Sequence, residues 1–461
     1  MEDQPAPGEF VSVDPATGRP FARTPALSDA QLEQVLARAH ADFLRWRDVP
    51  LAKRAALLVE IARQLELDAQ NHAALMSREM GKPFREALAE VKKCAWTARH
   101  FAEHGPAQLG DEATPSDATR SFVRYEPLGP ILAIMPWNFP FWQVFRFAIP
   151  ALLAGNVVVL KHAAGTMGCA AGIEGVFRKA GAPRGLLQSA PIDHAAVARA
   201  IADPRVAAVT LTGSTGAGRA IAAIAGRHLK PSVLELGGSD PFIVMPSEDL
   251  ELATRTAVLA RVQNGGQSCI AAKRFIVHEA VHGQFEAELV GAMRALRAGD
   301  PMDETVDLGP LASDEARRHL QQQVDESIAQ GARCLLGGRI PSGPGWFYPP
   351  TVLSDAPAAS PAGQDELFGP VASIVRARDL EHAIELANAT AFGLGASVWT
   401  REEAEIERAL AQLRAGAVFV NGMVRSDPRL PFGGRGDSGW GRELGWHGLF
   451  AFTNIKTVWI R

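Results

Sequence analysis

The chain has 461 residues, of which 47% are hydrophobic and 21% are charged, and its formal net charge is -4. This length suggests two or three domains, and the composition is that of an ordinary soluble globular protein. The small negative charge gives no reason to expect nucleic acid or an acidic membrane surface as a partner. The four cysteines show no C-x-x-C spacing. Neither a disulfide framework nor a metal site is therefore indicated, and a reducing cytoplasm fits best.

The chain carries no segment typical of membrane targeting. Its first seven residues are acidic and contain proline, which is the wrong composition for a signal peptide. The most apolar stretch, 131–160, is interrupted every few residues by proline, asparagine or arginine. A bilayer span would leave these groups unsatisfied, so we interpret the stretch as part of a soluble core.

The N-terminal quarter is predicted to be mainly helical. Ser28 and Gln31 form a capping-box pattern ahead of apolar residues spaced for one helix face. The helical pattern continues to about His104, with a break near Gly81. Strands are then predicted on both sides of the turn signal 127–130, at 122–127 and 130–135.

The middle of the chain alternates short β-branched runs with helical patterns. Strands are predicted at 156–161, 206–211 and 232–235, and a second such region runs from about Glu248 to Asn421, with strands at 273–277 and 395–399. This alternation predicts an α/β fold with mostly parallel sheets and helices on both faces. The tail from Arg425 is rich in glycine and ends in a predicted strand at 455–460.

A lone cysteine, Cys269, follows the pair Gly265-Gly266 and precedes an apolar run at 273–277. A thiol nucleophile needs exposure at the end of a rigid element, a nearby base and donors for an oxyanion. The glycines can bring the backbone close to a ligand. A buried structural cysteine remains the alternative from this stretch alone.

A glycine-rich turn follows the predicted strand at 206–211 and opens a helix. It contains Gly213, Ser214 and Gly218, and in such a context backbone N–H groups and a helix N-terminus can hold a phosphate. The spacing is not G-x-G-x-x-G, and a turn of this kind is also common without a ligand.

Three polar residues stand in positions that chemistry could use. Glu235 lies between apolar neighbours, where burial would raise its pKa toward that of a general base; a glutamate satisfied by backbone donors is the alternative. Asn138 is fixed between two prolines and could donate to an oxyanion, or could be a plain turn asparagine. Lys161 ends a β-branched run, where it could reach a ribose or phosphate or simply be solvated.

The order of these features resembles the aldehyde dehydrogenase superfamily along nearly the whole chain. The resemblance rests on Asn138, Lys161, Gly213, Glu235 and Cys269, followed by the stretches 366–370 and 431–434; the stretches 79–82, 392–394 and 441–445 are similar to that family too. It implies an aldehyde dehydrogenase-like fold: a Rossmann-like cofactor-binding domain (1–120 and 136–237), an α/β catalytic domain (238–424) and a strand-based oligomerisation segment (121–135 and 425–461). A homodimer or homotetramer is the implied assembly.

The resemblance also implies a catalytic set. Cys269 would form a thiohemiacetal with an aldehyde, while Asn138 and the backbone N–H of Cys269 stabilise the oxyanion. Glu235 would activate the water that hydrolyses the resulting thioester to a carboxylic acid. This agrees with the bottom-up interpretation, since a thioester needs a thiolate to form it and a base to break it.

The cofactor implied by the resemblance is NAD or NADP. Its expected contacts are Trp137, Lys161, Ala164, Gly213, Ser214, Gly218, Leu236, Glu366 and Phe368. Lys161 and Glu366 would hold ribose hydroxyls and Ser214 the pyrophosphate. Many NAD-preferring members have an acidic residue where this chain has Ala164, so repulsion against a 2′-phosphate is absent here. We therefore expect NADP to be accepted, and the preference stays open.

Within the superfamily, the sequence looks most like short bacterial succinate-semialdehyde dehydrogenases. Arg146 matches an arginine that binds the substrate carboxylate in such enzymes, and Ser426 and Arg429 are further candidates because Gln263 stands where some relatives have a second arginine. A guanidinium can bind a carboxylate with two hydrogen bonds. The alternatives are that Arg146 only braces the fold, that the substrate is another small aliphatic or ω-carboxylated aldehyde, or that the chain is a cofactor-independent thiol esterase.

Overall fold

The computed structural model describes residues 8–247 and 249–461. The first seven residues, on which the signal-peptide argument rests, and Glu248, where the second α/β region was predicted to begin, lie outside the described residues. The helices are α1 Asp29–Trp46, α2 Leu51–Leu67, α3 Ala69–Met80, α4 Phe84–Gln108, α5 Trp142–Ala154, α6 Met167–Lys179, α7 His194–Ala202, α8 Thr215–Arg227, α9 Leu250–Val262, α10 Glu279–Arg294, α11 Asp314–Ala329, α12 Pro361–Gln364, α13 Leu380–Ala387, α14 Glu403–Gln412 and α15 Gly445–Phe450. The strands are β1 Glu9–Asp14, β2 Arg19–Pro25, β3 Glu112–Ala113, β4 Arg120–Pro127, β5 Pro130–Met135, β6 Val157–His162, β7 Leu187–Ser189, β8 Ala208–Thr212, β9 Ser232–Glu235, β10 Pro241–Val244, β11 Arg274–His278, β12 Arg333–Leu336, β13 Thr351–Ser354, β14 Val371–Ala377, β15 Gly395–Trp399, β16 Ala417–Val420, β17 Gly439–Trp440 and β18 Thr453–Ile460.

The first large sheet has six strands in the order β17-β9-β8-β5-β6-β7. Its strands run parallel, except that β17 pairs with β9 in the antiparallel sense. Nearly every residue of β5, β6 and β8 is buried, which is typical of parallel strands covered by helices on both faces. Residues of helices α1 to α8 share one hydrophobic core with these strands.

The second large sheet has seven strands in the order β12-β13-β14-β11-β10-β15-β16. Only the pair β12 and β13 is antiparallel. Helices α9 and α10 pack on one face of this sheet, and α13 and α14 pack on the other. Each pair of helices forms a separate hydrophobic core with the strands. The alternation of strands and helices therefore predicted the fold class correctly.

A third, smaller sheet joins the segment 112–127 to the last strand of the chain. Strand β18 pairs with β4 along its whole length, from Thr453 opposite Pro127 to Ile460 opposite Arg120, and β4 also pairs with β3. Strand β18 exposes Ile455 and Trp459, whose exposed fractions are 66% and 49%. None of the helices in the described part of the chain combines the length and apolar character that a bilayer span requires.

The local predictions agree with the structure at the start of α1. The Ser28 hydroxyl accepts a hydrogen bond from the Gln31 N–H, and the Gln31 side chain accepts one from the Ser28 N–H. This reciprocal pair is the predicted capping box.

Two boundaries of the predicted oligomerisation segment need correction. Strand β5 (Pro130–Met135) lies between β6 and β8 in the six-stranded sheet, not beside β4. Strand β17 (Gly439–Trp440), in the predicted tail segment, also joins that sheet. The turn at 127–130 signals a change of direction, but a turn does not specify which sheet the next strand enters.

Candidate active site

A cleft of about 480 Å³ opens at the carboxyl ends of β5, β8 and β9. Ligands of open α/β sheets bind at this edge, where the loops that follow parallel strands come together. Most of its lining residues belong to these loops, to α11 or to the segment 365–368: Pro136, Trp137, Asn138, Gln143, Thr212, Gly213, Ser214, Thr215, Gly216, Leu236, Gly237, Cys269, His319, Gln323, Asp365, Glu366, Phe368 and Phe392.

The glycine-rich turn places a helix N-terminus against this cleft. Gly213 follows β8, and Ser214 is the N-cap of α8, whose hydroxyl accepts a hydrogen bond from the Ala217 N–H at 3.3 Å. The unpaired N–H groups of a first helical turn favour an anion such as a phosphate. Gly218, in contrast, is buried away from the cleft, and a Cβ there would meet the Leu236 side chain at 2.5 Å. Its structural role is close packing, which corrects the expectation of a cofactor contact.

Aromatic and acidic groups also line the cleft. The rings of Trp137 and Phe368 meet edge to face, with centroids 5.7 Å apart. The Glu366 carboxylate accepts a hydrogen bond from the Gly238 N–H at 3.1 Å and lies 3.4 Å from the Lys273 ammonium. Burial raises the pKa of Glu366, and Lys273 opposes this shift. Lys273 was not predicted as a site residue, because its role depends on this contact across the fold.

Lys161 and Ala164 lie beside the cleft and do not line it. Lys161 pairs with Ile134 near the carboxyl end of β6, so it stands at the same edge of the sheet as the loops that form the cleft. Burial lowers the pKa of the Lys161 ammonium. Ala164 begins a short 3-10 turn, Ala164–Thr166, just beyond that strand. A dinucleotide longer than the cleft would continue toward this edge, so these residues fit a cofactor contact.

Cys269 follows a tight 3-10 turn, Gln263–Gly266, whose last position has room only for glycine. Asn264, Gly265 and Gly266 have positive φ values of 57°, 62° and 76°. A Cβ at Gly266 would collide with the backbone of Gly369. The sequence predicted that these glycines allow positive φ or a close approach to a ligand; the structure shows the positive φ values, and the close approach at Gly266 is to the backbone of Gly369. The turn brings Cys269 to the cleft.

Asn138 is fastened to the segment that carries Cys269. Its side-chain amide donates to the Gln267 carbonyl at 3.1 Å, and Asn264 donates from its own amide to the Asn138 carbonyl at 2.7 Å. Asn138 also lines the cleft together with Cys269. The amide is thus held in place by these contacts as well as by the flanking prolines, as an oxyanion donor must be.

A second cavity of about 440 Å³ lies on the other side of Cys269. Helices α4, α5 and α9 and the loop 423–432 provide most of its walls: Arg85, Glu86, Ala89, Glu90, Lys93, Phe139, Trp142, Gln143, Arg146, Val258, Leu259, Val262, Gln263, Ser268, Cys269, Ile270, Leu296, Asp307, Met423, Arg425, Ser426 and Phe432. Cys269 and Gln143 line both cavities. Gln143, which was not predicted, is buried, and its amide oxygen has no hydrogen-bond partner within the described residues.

The Cys269 thiol is strongly perturbed by its surroundings. Burial raises its pKa to about 12, while the positive charges of Arg146 and Lys273 oppose the shift and the carboxylates of Glu366 and Glu235 add to it. The thiol is therefore protonated at neutral pH in the ligand-free protein, and reaction requires that it lose its proton to a base or to water.

Glu235 belongs to a buried cluster of two carboxylates around one guanidinium. Arg146 donates from Nε to Glu443 and from a terminal nitrogen to the Thr212 hydroxyl at 3.3 Å, and it lies 3.8 Å from the Glu235 carboxylate. Burial raises the pKa values of both glutamates, and Arg146 opposes the rise. Within the described residues, neither Glu235 oxygen has a hydrogen-bond partner. A buried carboxylate of raised pKa beside a thiol is suited to act as a general base.

Glu443 is another residue that sequence reasoning missed as part of the site. It lies in the stretch 441–445, which carried the family resemblance without an assigned role. Its carboxylate is buried and sits 297 positions from its partner Arg146. Glu443 could be recognised as a site residue only from its contact with Arg146, which no local sequence pattern predicts.

The predicted substrate residues separate into two groups. Arg146 and Ser426 line the second cavity. Arg429 does not, because its exposed guanidinium binds Asp427 at 2.8 and 2.6 Å and faces the Trp96 ring. The expectation that Arg429 contacts substrate is corrected on this geometry. Arg425 and Lys93, which were not predicted, line the cavity instead.

The chain is similar to known proteins along nearly its whole length. Residues 2–458 match the Aldehyde dehydrogenase family. A Mycobacterium tuberculosis protein named succinate-semialdehyde dehydrogenase [NADP(+)] 1 is 50% identical over 98% of this chain and 99% of its own length. The solved succinic semialdehyde dehydrogenase of Streptococcus pyogenes, in complex with NADP+, superposes with a TM-score of 0.96 at 34% identity over 98% of this chain and 99% of that one. An NAD-dependent aldehyde dehydrogenase from Sinorhizobium meliloti superposes with a TM-score of 0.94 at 31% identity, over 98% and 91%.

The chain therefore belongs to the aldehyde dehydrogenase family. This confirms the predicted family, fold class and enzyme class. The predicted cofactor, NADP or NAD, is also confirmed, because the relatives named above use NADP or NAD. The comparisons do not decide between the two.

Proposed function

We propose that this protein oxidises succinic semialdehyde to succinate, with NADP as the preferred hydride acceptor. The observation that carries the proposal is the position of Cys269 in the wall between two cavities. One has the strand ends, helix N-terminus and carboxylate that fit a dinucleotide, and the other is lined by the cations Lys93, Arg146 and Arg425, which suit a carboxylated aldehyde. The relatives described above support the same substrate.

The reaction begins with the thiol of Cys269. Its sulfur bonds to the aldehyde carbon, the carbonyl electron pair moves to the oxygen, and the thiol proton passes to water or to Glu235. The Asn138 amide and the Cys269 N–H stabilise the oxyanion. When bound, the cofactor's nicotinamide supplies the acceptor for the hydride that leaves this carbon, and a thioester of Cys269 remains.

Glu235 then serves the second half of the reaction. Its carboxylate removes a proton from a water molecule, which attacks the thioester carbon. Collapse of the tetrahedral species breaks the carbon–sulfur bond, releases the carboxylic acid and returns the Cys269 thiolate. The raised pKa of Glu235 suits this step, because a stronger base takes the proton of water more readily.

Preference for NADP is supported by the side chain at position 164. Ala164 offers no carboxylate that would repel a 2′-phosphate, and Lys161 at the same sheet edge supplies a positive charge. The change Ala164→Asp should lower kcat/KM with NADP about tenfold relative to NAD. An unchanged ratio would contradict the assignment of position 164.

Two alternatives remain: a different aldehyde substrate for the same reaction, and a different activity. Another small aldehyde, carboxylated or plain, would use the same thiol and base. A thiol esterase would use Cys269, Glu235 and Asn138 without a cofactor. The cleft at 213–216, with Glu366 and Phe368, favours the dehydrogenase, because ester hydrolysis needs none of these groups.

The larger organisation is also part of the proposal. The six-stranded sheet with α1 to α8 would bind the cofactor, the seven-stranded sheet would carry Cys269, and β18 would join subunits into a homodimer or homotetramer. Exposed Ile455 and Trp459 on β18 support that interface. We expect a cytoplasmic enzyme with no nucleic-acid or membrane partner. Light scattering during gel filtration would test the assembly, and a monomeric mass would contradict it.

The deciding experiment compares kcat/KM for succinic semialdehyde and butyraldehyde, with NAD and NADP in parallel. A preference of about tenfold or more for the carboxylated substrate, on the order of 1.4 kcal/mol, is expected. The variant Cys269→Ala is the control for cysteine-dependent turnover. Equal values for the two aldehydes would keep the aldehyde dehydrogenase assignment and remove succinic semialdehyde as the preferred substrate.

A further inference from the structure

The charged groups along the second cavity differ in how they are paired. Arg85 and Asp307 bind each other at 2.8 Å. Glu86 accepts the Asn264 N–H at 2.7 Å. Glu90 pairs with the buried Lys82 and accepts the N–H groups of 141 and 142 at 3.0 and 2.9 Å.

Arg146 is also paired with acidic side chains. Its Nε binds Glu443, a terminal nitrogen binds Thr212, and the guanidinium lies against the Phe432 ring at 4.7 Å. Its second nearby carboxylate, Glu235, is the proposed general base. A substrate carboxylate would therefore compete with two buried carboxylates for a guanidinium that already has acidic partners.

Lys93 differs from these cations because its partners are neutral. Its ammonium donates to the Ser426 hydroxyl at 2.8 Å and lies 4.2 Å from the centroid of the Trp142 ring. Its nearest acidic neighbours are engaged elsewhere: Asp427 binds Arg429, and Glu90 binds Lys82. An ammonium has three N–H donors, so the bond to Ser426 leaves donors for a ligand in this cavity.

We propose that Lys93 is the specificity-determining residue that binds the distal carboxylate of the substrate, with Ser426 orienting its ammonium. This inference rests on the proposed function and assigns to Lys93 the role that Arg146 was expected to fill. Trp142 and the aliphatic stem of Lys93 would pack against the methylene carbons. Arg425, exposed at the same cavity, adds positive charge near the entrance.

The surroundings of Lys93 also predict a pH effect. Burial lowers its pKa to about 8; nearby Arg146 contributes to the lowering, and Cys94, Glu90 and Asp427 oppose it. The ammonium itself contacts Ser426 and Trp142, and Arg425 lines the same cavity. With the four groups just named, these are the neighbours of Lys93 on α4, α5 and the loop 423–432. The charge that holds the carboxylate would be lost as the pH rises through about 8.

The test compares Lys93→Met with Lys92→Met, because Lys92 is the exposed neighbour on the same helix. Lys93→Met should raise KM for succinic semialdehyde about 10- to 100-fold, the range for losing a hydrogen bond to a charged group. It should leave kcat/KM for butyraldehyde within about twofold. Lys92→Met should change neither value, and Lys93→Arg should restore part of the discrimination.

A second measurement follows the same substrate ratio as a function of pH. In the wild-type enzyme, the ratio of kcat/KM for succinic semialdehyde over butyraldehyde should fall between about pH 7 and 9, and in Lys93→Arg it should stay flat. Equal losses on both aldehydes in Lys93→Met, or no loss, would overturn the role of Lys93. If the wild-type enzyme does not discriminate between the aldehydes, it is the proposed substrate that fails.

Discussion

The two cavities that meet at Cys269 are built in different ways. The cofactor cleft is formed largely by short loops at the ends of parallel strands, and its helix N-terminus and glycine turn are local features of the chain. The substrate cavity is formed by helix side chains whose charges are paired across long sequence distances. The first offers backbone groups that suit any dinucleotide. Under our proposal, the second would select its substrate through Lys93, a cation whose partners are neutral.

The largest effect should come from Glu235, which serves the reaction after the cofactor has taken its hydride. Glu235→Gln should lower steady-state turnover about 100- to 10,000-fold, because the thioester loses its general base. A burst of reduced cofactor, equal to the enzyme concentration, should precede the slow phase. Stopped-flow absorbance measures both phases, and the absence of a burst would place the defect before hydride transfer.

Arg146 and Lys93 both line the second cavity, but only Arg146 is paired with buried carboxylates. Replacing Arg146 tests whether a cation with acidic partners supports the fold and the general base and does not bind the substrate carboxylate. Arg146→Leu should lower kcat/KM for carboxylated and plain aldehydes alike, by about 100-fold, because it disturbs Glu235. It should also cost about 3–5 kcal/mol of unfolding free energy, since Glu443 loses its buried partner.

Thermal unfolding and the two-aldehyde assay measure these effects, with exposed Arg429→Leu as the matched control. A loss confined to succinic semialdehyde would instead identify Arg146 as the carboxylate ligand.

The thiol between the cavities should show its raised pKa directly. Only the thiolate reacts with iodoacetamide, so with a pKa of about 12 the alkylation rate of Cys269 in the cofactor-free enzyme should rise about tenfold per pH unit from pH 7 to 10. The exposed Cys334 is removed beforehand by Cys334→Ala. A rate that reaches a plateau near pH 8 would show that the thiol ionises far more easily than its burial indicates.

The smallest effect concerns the cofactor side. Glu366→Gln removes a charged acceptor for a ribose hydroxyl and should raise KM for the cofactor about tenfold. The KM for the aldehyde should stay the same, because Glu366 lines only the cofactor cleft. Initial-rate kinetics with each substrate varied in turn separate the two constants, and a parallel rise in both would mean that Glu366 also shapes the thiol's surroundings.

The sequence by itself determined the features that are local. The capping box of α1, the alternation that builds parallel sheets, the turn at Gly213 and the glycines before Cys269 each depend on residues a few positions apart. Their physical cause is backbone geometry and hydrogen bonding within one segment, which a short window of sequence contains. The order of the motifs then identified the family.

Tertiary structure decided the partners. Lys93 meets Ser426 333 positions away, and Arg146 meets Glu443 297 positions away. Whether a cation binds a ligand or a neighbour depends on burial and on the nearest opposite charge. Both are set by packing between distant helices and loops, so no local pattern distinguishes Arg146 from Lys93.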